Sequence, residues 1–188
     1  MARLSRQDWL NAGLAELAEG GVEGIKIDRL CKRLNISIGS FYHHFVNIDD
    51  YMEKLAEAWE ALMLQHLAES LDRDAPPEER LRTFHDRILD LTPRLEVVVR
   101  AWSFSNEYTA KIVDKMDKKR MRMITTQFME LGFKNEDAKL LAEVEYATYL
   151  GVLNVCANRN KQSARKLYHL VSGMIKGKRD KVAQLAAM

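Results

Sequence analysis

The stretch 26–45, KIDRLCKRLNISIGSFYHHF, holds the side chains whose types and spacing speak most directly of chemistry. Read as a helix opening at Ser37, it puts Phe41 and Phe45 on one face at i, i+4 and turns Gly39, Ser40, Tyr42, His43 and His44 outward. Hydroxyls and imidazoles on a small, polar, aromatic surface suit hydrogen bonds to phosphate oxygens and base edges. They do not suit bond making. No nucleophile stands beside a base, no Cys, His, Asp or Glu set has metal-ligand spacing, and no glycine-rich phosphate loop occurs. His43 and His44 point about 100° apart on a helix and lack further ligands. The sequence therefore predicts neither an enzyme nor a metal or cofactor protein.

The elements that must position this surface are short. Ile27, Leu30, Cys31 and Leu34 recur at i, i+3, i+4 and i+7, the apolar face of a helix whose other side carries Asp28, Arg29, Lys32 and Arg33. Asn35 accepts left-handed backbone angles and ends it. Ile36 lies in the turn, and Ser37 is an N-cap for the next helix. Two short helices across a tight turn describe a helix-turn-helix, which reads DNA. A lone pair of this kind buries too little apolar surface to be stable. The preceding segment supplies the rest: Ser5 and Asp8 form a capping box for a helix over 6–19 bearing Trp9, Leu10, Leu14 and Leu17, stopped by Gly20-Gly21.

The chain resembles the TetR family of bacterial transcriptional regulators. The likeness rests on the leading helix ending at Gly21, the run Ser37-Ile38-Gly39-Ser40-Phe41-Tyr42-His43-His44-Phe45, and Asn47-Ile48-Asp49-Asp50-Tyr51 at the family's spacing. Asn35 stands where the family usually has glycine, Cys31 where it usually has alanine, and Ile48 where some members carry a phosphate-contacting lysine. The resemblance implies that Tyr42 contacts a phosphate. Lys26, where the family often has threonine, would anchor another. Ser37 opens the recognition helix, and Ser40, His43 and His44 are candidates for base edges or nearby phosphates. Gly39 would let the helix start approach DNA closely. Ile38 can touch a thymine methyl or pack in the core.

The chain has 188 residues, 47% of them hydrophobic, with three prolines and nine glycines. No alternating apolar/polar runs stand out, so the expected fold is all-α, with about nine helices. A formal charge of +2 argues nothing about nucleic acid, but segment 47–74 has eight acidic residues against two basic ones. Basic runs at 111–122 and 176–181 compensate and read as solvated helix faces. No run of about 18 apolar residues suits a membrane span, and the N-terminus lacks a signal peptide's core, so a cytoplasmic protein is expected. Cys31 and Cys156 lack pairing or metal spacing and read as small buried hydrophobes.

After the head, Asn47 and Asp50 cap a helix to about Leu71, and a second is expected from Glu78 to about Leu91. Pro93 opens a third; others follow over 107–131, stopped by Gly132, and over 136–158, capped by Asn135. Ser163 caps a last helix, with a basic tail from Gly177. The domain reading is 1–46 for DNA binding and 47–188 for effector binding and dimerisation. The 136–158 helix is apolar on most sides and should be buried on most sides. Surplus apolar surface on 136–174 points to a homodimer joined through Val144, Ala147, Thr148, Gly151, Val152, Val155, Leu167, Leu170, Val171 and Met174; the alternative is cover within one chain. A dimer would set two heads on successive major grooves about 34–36 Å apart, on palindromic double-stranded DNA.

The resemblance also implies an effector pocket enclosed by the middle helices, roughly 47–131. Its candidates are Trp59, Met63, His66, Phe84, His85, Trp102, Phe104, Met116, Met123, Phe128, Tyr146 and Tyr149, a set suited to a small, mostly apolar molecule. The expected function is a dimeric repressor released from its operator by that effector. The competing reading is a DNA-bound protein whose C-terminal domain contacts another protein and binds no small molecule.

Overall fold

The computed structural model describes residues 4–69, 75–76, 79–80, 82–83, 86, 93–156 and 161–176. Among them the secondary structure is helical throughout: α1 (Arg6–Gly20), a 3-10 turn (Val22–Gly24), α2 (Ile27–Leu34), α3 (Ile38–His44), α4 (Ile48–Glu69), α5 (Pro93–Ser103), α6 (Glu107–Glu130), α7 (Asn135–Cys156) and α8 (Lys161–Lys176). No helix of the described residues is long and apolar enough to cross a membrane. The helix expected over 78–91, with Phe84 and His85, and the basic tail fall largely outside the described residues. Two compact units result: residues 1–65 with 94–115, and residues 66–93 with 116–188. The first unit is thus larger than the trihelical head of residues 1–46, because most of α4, nearly all of α5 and the start of α6 belong with it.

In the first unit α1 opens on the capping box. The Asp8 N–H donates to Ser5 Oγ at 3.2 Å, and the Ser5 N–H donates to Asp8 Oδ2 at 2.7 Å. Trp9, Leu17, Leu30, Phe41, Tyr51, Leu55 and Trp59 are fully enclosed. The aromatic rings organise this core. Trp9 meets Phe41 edge-on at 5.5 Å, Phe45 meets Tyr51 edge-on at 4.8 Å, and Phe41 lies 5.3 Å from Phe45. The phenol of Tyr51 donates to the Trp9 carbonyl at 2.8 Å, which ties α4 to α1. Asn47 Oδ1 accepts the Asp50 N–H at 2.8 Å, as expected of a cap; the Asp50 carboxylate, however, takes the N–H of Val46 rather than that of Asn47.

Cys31 is buried and burial raises its pKa, so the thiol stays protonated and behaves as the hydrophobe expected. On α5, Glu96 is buried and ion-paired with Arg100 one turn later at 2.9 Å. The first turn of α6 is capped by Asn106 Oδ1, which accepts from the Thr109 N–H at 2.8 Å.

In the second unit α6 ends where Gly132 adopts φ 90°, and the Phe133 N–H closes on the Phe128 carbonyl at 3.2 Å. Helix α7 starts one residue earlier than the sequence suggested. Asn135 is its first residue, and the Lys134 carbonyl takes the Ala138 N–H at 2.8 Å. Ser163 likewise lies inside the first turn of α8 rather than capping it. Helices α7 and α8 pack along each other; Leu141, Val152 and Leu153 of the first and Ala164 and Tyr168 of the second are buried. The Tyr168 hydroxyl donates to Glu145, and burial followed by that carboxylate pushes its pKa well above the usual value.

Candidate nucleic-acid interface

The turn between α2 and α3 is set by Asn35 at φ 52°, ψ 51°. Its N–H returns to the Lys32 carbonyl at 3.2 Å, and the Ile36 N–H returns to the Cys31 carbonyl at 3.0 Å. These two bonds are a Schellman closure, which asparagine tolerates in place of glycine. Ser37 then occupies the N-cap of α3 with extended angles, but its hydroxyl makes no capping bond; only its carbonyl engages, accepting the Ser40 N–H at 3.1 Å. The serine was expected to cap through its side chain. It does so through position alone.

Helix α3 is anchored from beneath by Phe41 and by Phe45, the residue that ends it, both buried. The rest of the helix is exposed or half-buried. Ile38 is 55% exposed and Tyr42 is 56% exposed, while Ser40 and His44 are half-buried and Gly39 and His43 exposed. The exposure of Ile38 removes the core reading. The Tyr42 ring stands edge-on against Phe41 at 5.4 Å, which holds its hydroxyl outward. The imidazoles of His43 and His44 lie 5.1 Å apart at 73°. A β-carbon on Gly39 would meet nothing nearer than Ser37 Oγ at 4.0 Å, so no close neighbour in this chain requires glycine there.

The charges around this face fall into two groups. Glu16 on α1 is 5% exposed and carries a carboxylate that needs compensation. It receives Arg29 at 3.0 Å and Arg33 at 3.1 Å, and Arg33 also pairs with Glu19. The Glu19 carbonyl in turn accepts from Arg94 of α5 at 2.7 Å. Arg29 and Arg33, on the polar face of α2, are therefore fastened to α1. Lys26, at the N-cap of α2, and Lys32 are exposed and have no ion pair among the described residues. Those two remain available to a polyanion. Sequence reasoning missed Glu16; the signal was an acid one turn from Glu19 on a helix that also carries Trp9 and Leu17.

The remaining candidates separate by unit. Trp59, Met63 and Trp102 are buried in the first, where Phe104 is 92% exposed just past the end of α5 and lines no interior. Met116, Phe128, Tyr146 and Tyr149 are buried in the second, with His66 and Met123 half-buried. A groove of about 610 Å³ in the first unit runs between α1 and α4, lined by Leu10, Leu14, Ala58, Ala61 and Leu62 with polar Arg6, Lys54 and Glu57. None of the effector candidates borders it.

Within the single chain α7 is buried on one side only. Leu140, Val144, Ala147, Gly151 and Val155 are exposed along one stripe, beside exposed Leu167, Leu170 and Met174 on α8. Thr148 and Val171 are half-buried at its margin. Val152 borders this stripe but is 4% exposed, in its own chain's core.

Residues 10–55 match the family of bacterial regulatory proteins named tetR. A curated relative, the transcriptional regulator AcuR of Cereibacter sphaeroides, is 36% identical over 84 residues, spanning 44% of this chain and 38% of that protein. A transcriptional regulator from Rhodococcus sp. Rha1 superposes with a TM-score of 0.78 at 21% identity, over 92% of this chain and 96% of that one. A TetR transcriptional regulator from Legionella pneumophila gives 0.79 at 15% identity over 92% and 98%. A transcriptional regulator from Saccharomonospora viridis, solved in complex with choline, gives 0.76 at 18% identity over 87% and 93%.

Proposed function

We propose, for a chain that belongs to the TetR family of bacterial transcriptional regulators, that it is a dimeric repressor released from a palindromic operator by a small molecule. Residues 1–46 are the reading head and residues 47–188 the effector and dimerisation part. Tyr42 and Lys26 hold phosphates, Ser40, His43 and His44 meet base edges or adjacent phosphates, and Ile38 offers its side chain to a thymine methyl. Gly39 brings the start of α3 near the duplex backbone.

The observation that carries this reading is the exposed stripe Leu140, Val144, Ala147, Gly151 and Val155 beside Leu167, Leu170 and Met174. So large an apolar face on one chain is a subunit interface by its chemistry. Small residues at 147 and 151, one turn apart, let two copies of α7 cross closely about a two-fold axis. Pairing fixes the distance between two heads, and fixed distance selects half-site spacing. An effector that binds one dimer state better than the other moves the heads off that spacing.

The test is a genomic-fragment pulldown with the purified protein, followed by sequencing of what is retained. A palindrome with half-sites one or two helical turns apart supports the reading. Retention of random duplex, without preference, ends it. Sequence-specific binding that no small molecule relieves would favour the protein-contacting alternative.

A further inference from the structure

The interior of the second unit is more polar than a pocket for a purely apolar molecule requires. On α6, Met116, Arg120, Ile124 and Gln127 fall on one face, and all four are buried. Arg120 donates to the Tyr146 hydroxyl at 3.3 Å and lies over the Tyr149 ring, 5.9 Å from its centroid. Tyr146 donates to Asp117 at 2.6 Å, and Glu145 accepts from Tyr168. Each of these side chains has a partner, although Glu145 Oε2 accepts no hydrogen bond among the described residues. Gln127 has none at either end: it is 2% exposed, and neither Oε1 nor Nε2 has a hydrogen-bond partner among the described residues.

An enclosed primary amide without partners is costly, whereas a leucine of similar volume avoids the penalty. Helix formation does not ask for glutamine here, since leucine is as good a helix former. We propose that Gln127 is the polar anchor of the effector site, and that the effector carries a primary carboxamide or a lactam on a small apolar body. This rests on the effector-released reading above. Such a group holds an N–H donor and a carbonyl acceptor side by side. Its N–H donates to Oε1 and its carbonyl accepts from Nε2, which pairs both ends of the amide at once. A carboxylate satisfies only Nε2, and so does a ketone. Ile124 and Phe128, buried on the same helix, suit the apolar body, and half-buried Met123 can yield to its shape.

The experiment compares the full-length protein with Gln127→Leu by thermal unfolding and calorimetric titration. The probes are butyramide, benzamide and δ-valerolactam, each against its partner lacking the N–H: butyrate, benzoate and cyclohexanone. Without ligand, Gln127→Leu should melt about 2–4 °C higher, the shift that relieving roughly 1 kcal/mol gives at this size. At least one carboxamide or lactam should bind the wild type tenfold or more tightly than its partner compound, and the variant should lose that preference. A variant that melts lower or fails to fold overturns the proposal. So does a panel in which no carboxamide or lactam binds, or one in which both proteins respond alike. Retention of duplex DNA is measured alongside. A carboxamide that binds through Gln127 without releasing DNA defeats the repressor reading alone, and release by other compounds that survives Gln127→Leu defeats this inference alone.

Discussion

A β-carbon placed on Gly13 would lie 2.0 Å from the Tyr51 hydroxyl, and that hydroxyl is the one bonded to the Trp9 carbonyl at 2.8 Å. The glycine is what allows α4 to cross α1 closely enough for the bond to form. Its β-carbon would also stand 2.8 Å from Leu55 Cδ1, so the crowding comes from two turns of α4.

Gly13→Ala should therefore destabilise the protein by about 2 kcal/mol, overpacking outweighing the roughly 1 kcal/mol gain in helix propensity. Tyr51→Phe alone should cost about 1 kcal/mol through the lost hydrogen bond. Combined, the two should cost clearly less than their sum, because removing the hydroxyl opens the space the methyl needs. Denaturant unfolding of all four proteins measures the coupling, and strict additivity would show that α1 and α4 simply move apart.

Tyr42→Phe should weaken operator binding about tenfold, the worth of one hydrogen bond to a charged oxygen, with thermal stability unchanged. The ring that packs edge-on against Phe41 is kept, so only the hydroxyl is tested. His44→Ala should likewise weaken specific binding. Fluorescence anisotropy on the operator, paired with melting curves, separates recognition from folding; wild-type affinity in both variants would remove α3 as the reading element.

Lys26→Ala should lower affinity about equally for operator and random duplex and reduce the salt slope by about one. Arg33→Ala should behave differently. It leaves the buried Glu16 carboxylate with Arg29 alone, so its main effect is a lowered unfolding midpoint. Binding isotherms over a salt series, set beside unfolding curves, tell the two charges apart. A Lys26 variant with an unaltered salt slope would take that residue off the duplex.

Gly151→Leu should leave each chain folded, because nothing in the chain lies within 4 Å of a β-carbon there. The same change should block close approach of a second copy and shift sedimentation towards the monomer, with operator binding lost in parallel. A variant that stays dimeric at micromolar concentration would put the subunit contact elsewhere.

The head was legible because its determinants are local. Asn35 needs only its own backbone angles, and Phe41 and Phe45 announce their face by spacing four residues apart. The links across helices were hidden. Nothing in a linear reading says that Glu16 will reach Arg29 and Arg33, or that the Asp50 carboxylate will choose the Val46 N–H over that of Asn47. On α7 the periodicity failed for a physical reason: two apolar faces, one for the chain's own core and one exposed, erase the contrast that periodicity needs. Val152 and Val155 look alike in sequence, one turn apart, yet the first is enclosed and the second exposed. Phe104 misled by composition, an aromatic side chain lying just beyond a helix end and solvated there.

The emptiness around Gly39 has an evolutionary meaning. What keeps α3 in place lies underneath it, in Phe41 and Phe45, while Ile38, Gly39, Tyr42 and His43 rest on little of the chain that carries them. A lineage can therefore rewrite the address it recognises, one outward side chain at a time, without renegotiating its architecture. The same separation makes this head a tractable chassis for retargeting, with vocabulary on the outside and grammar within.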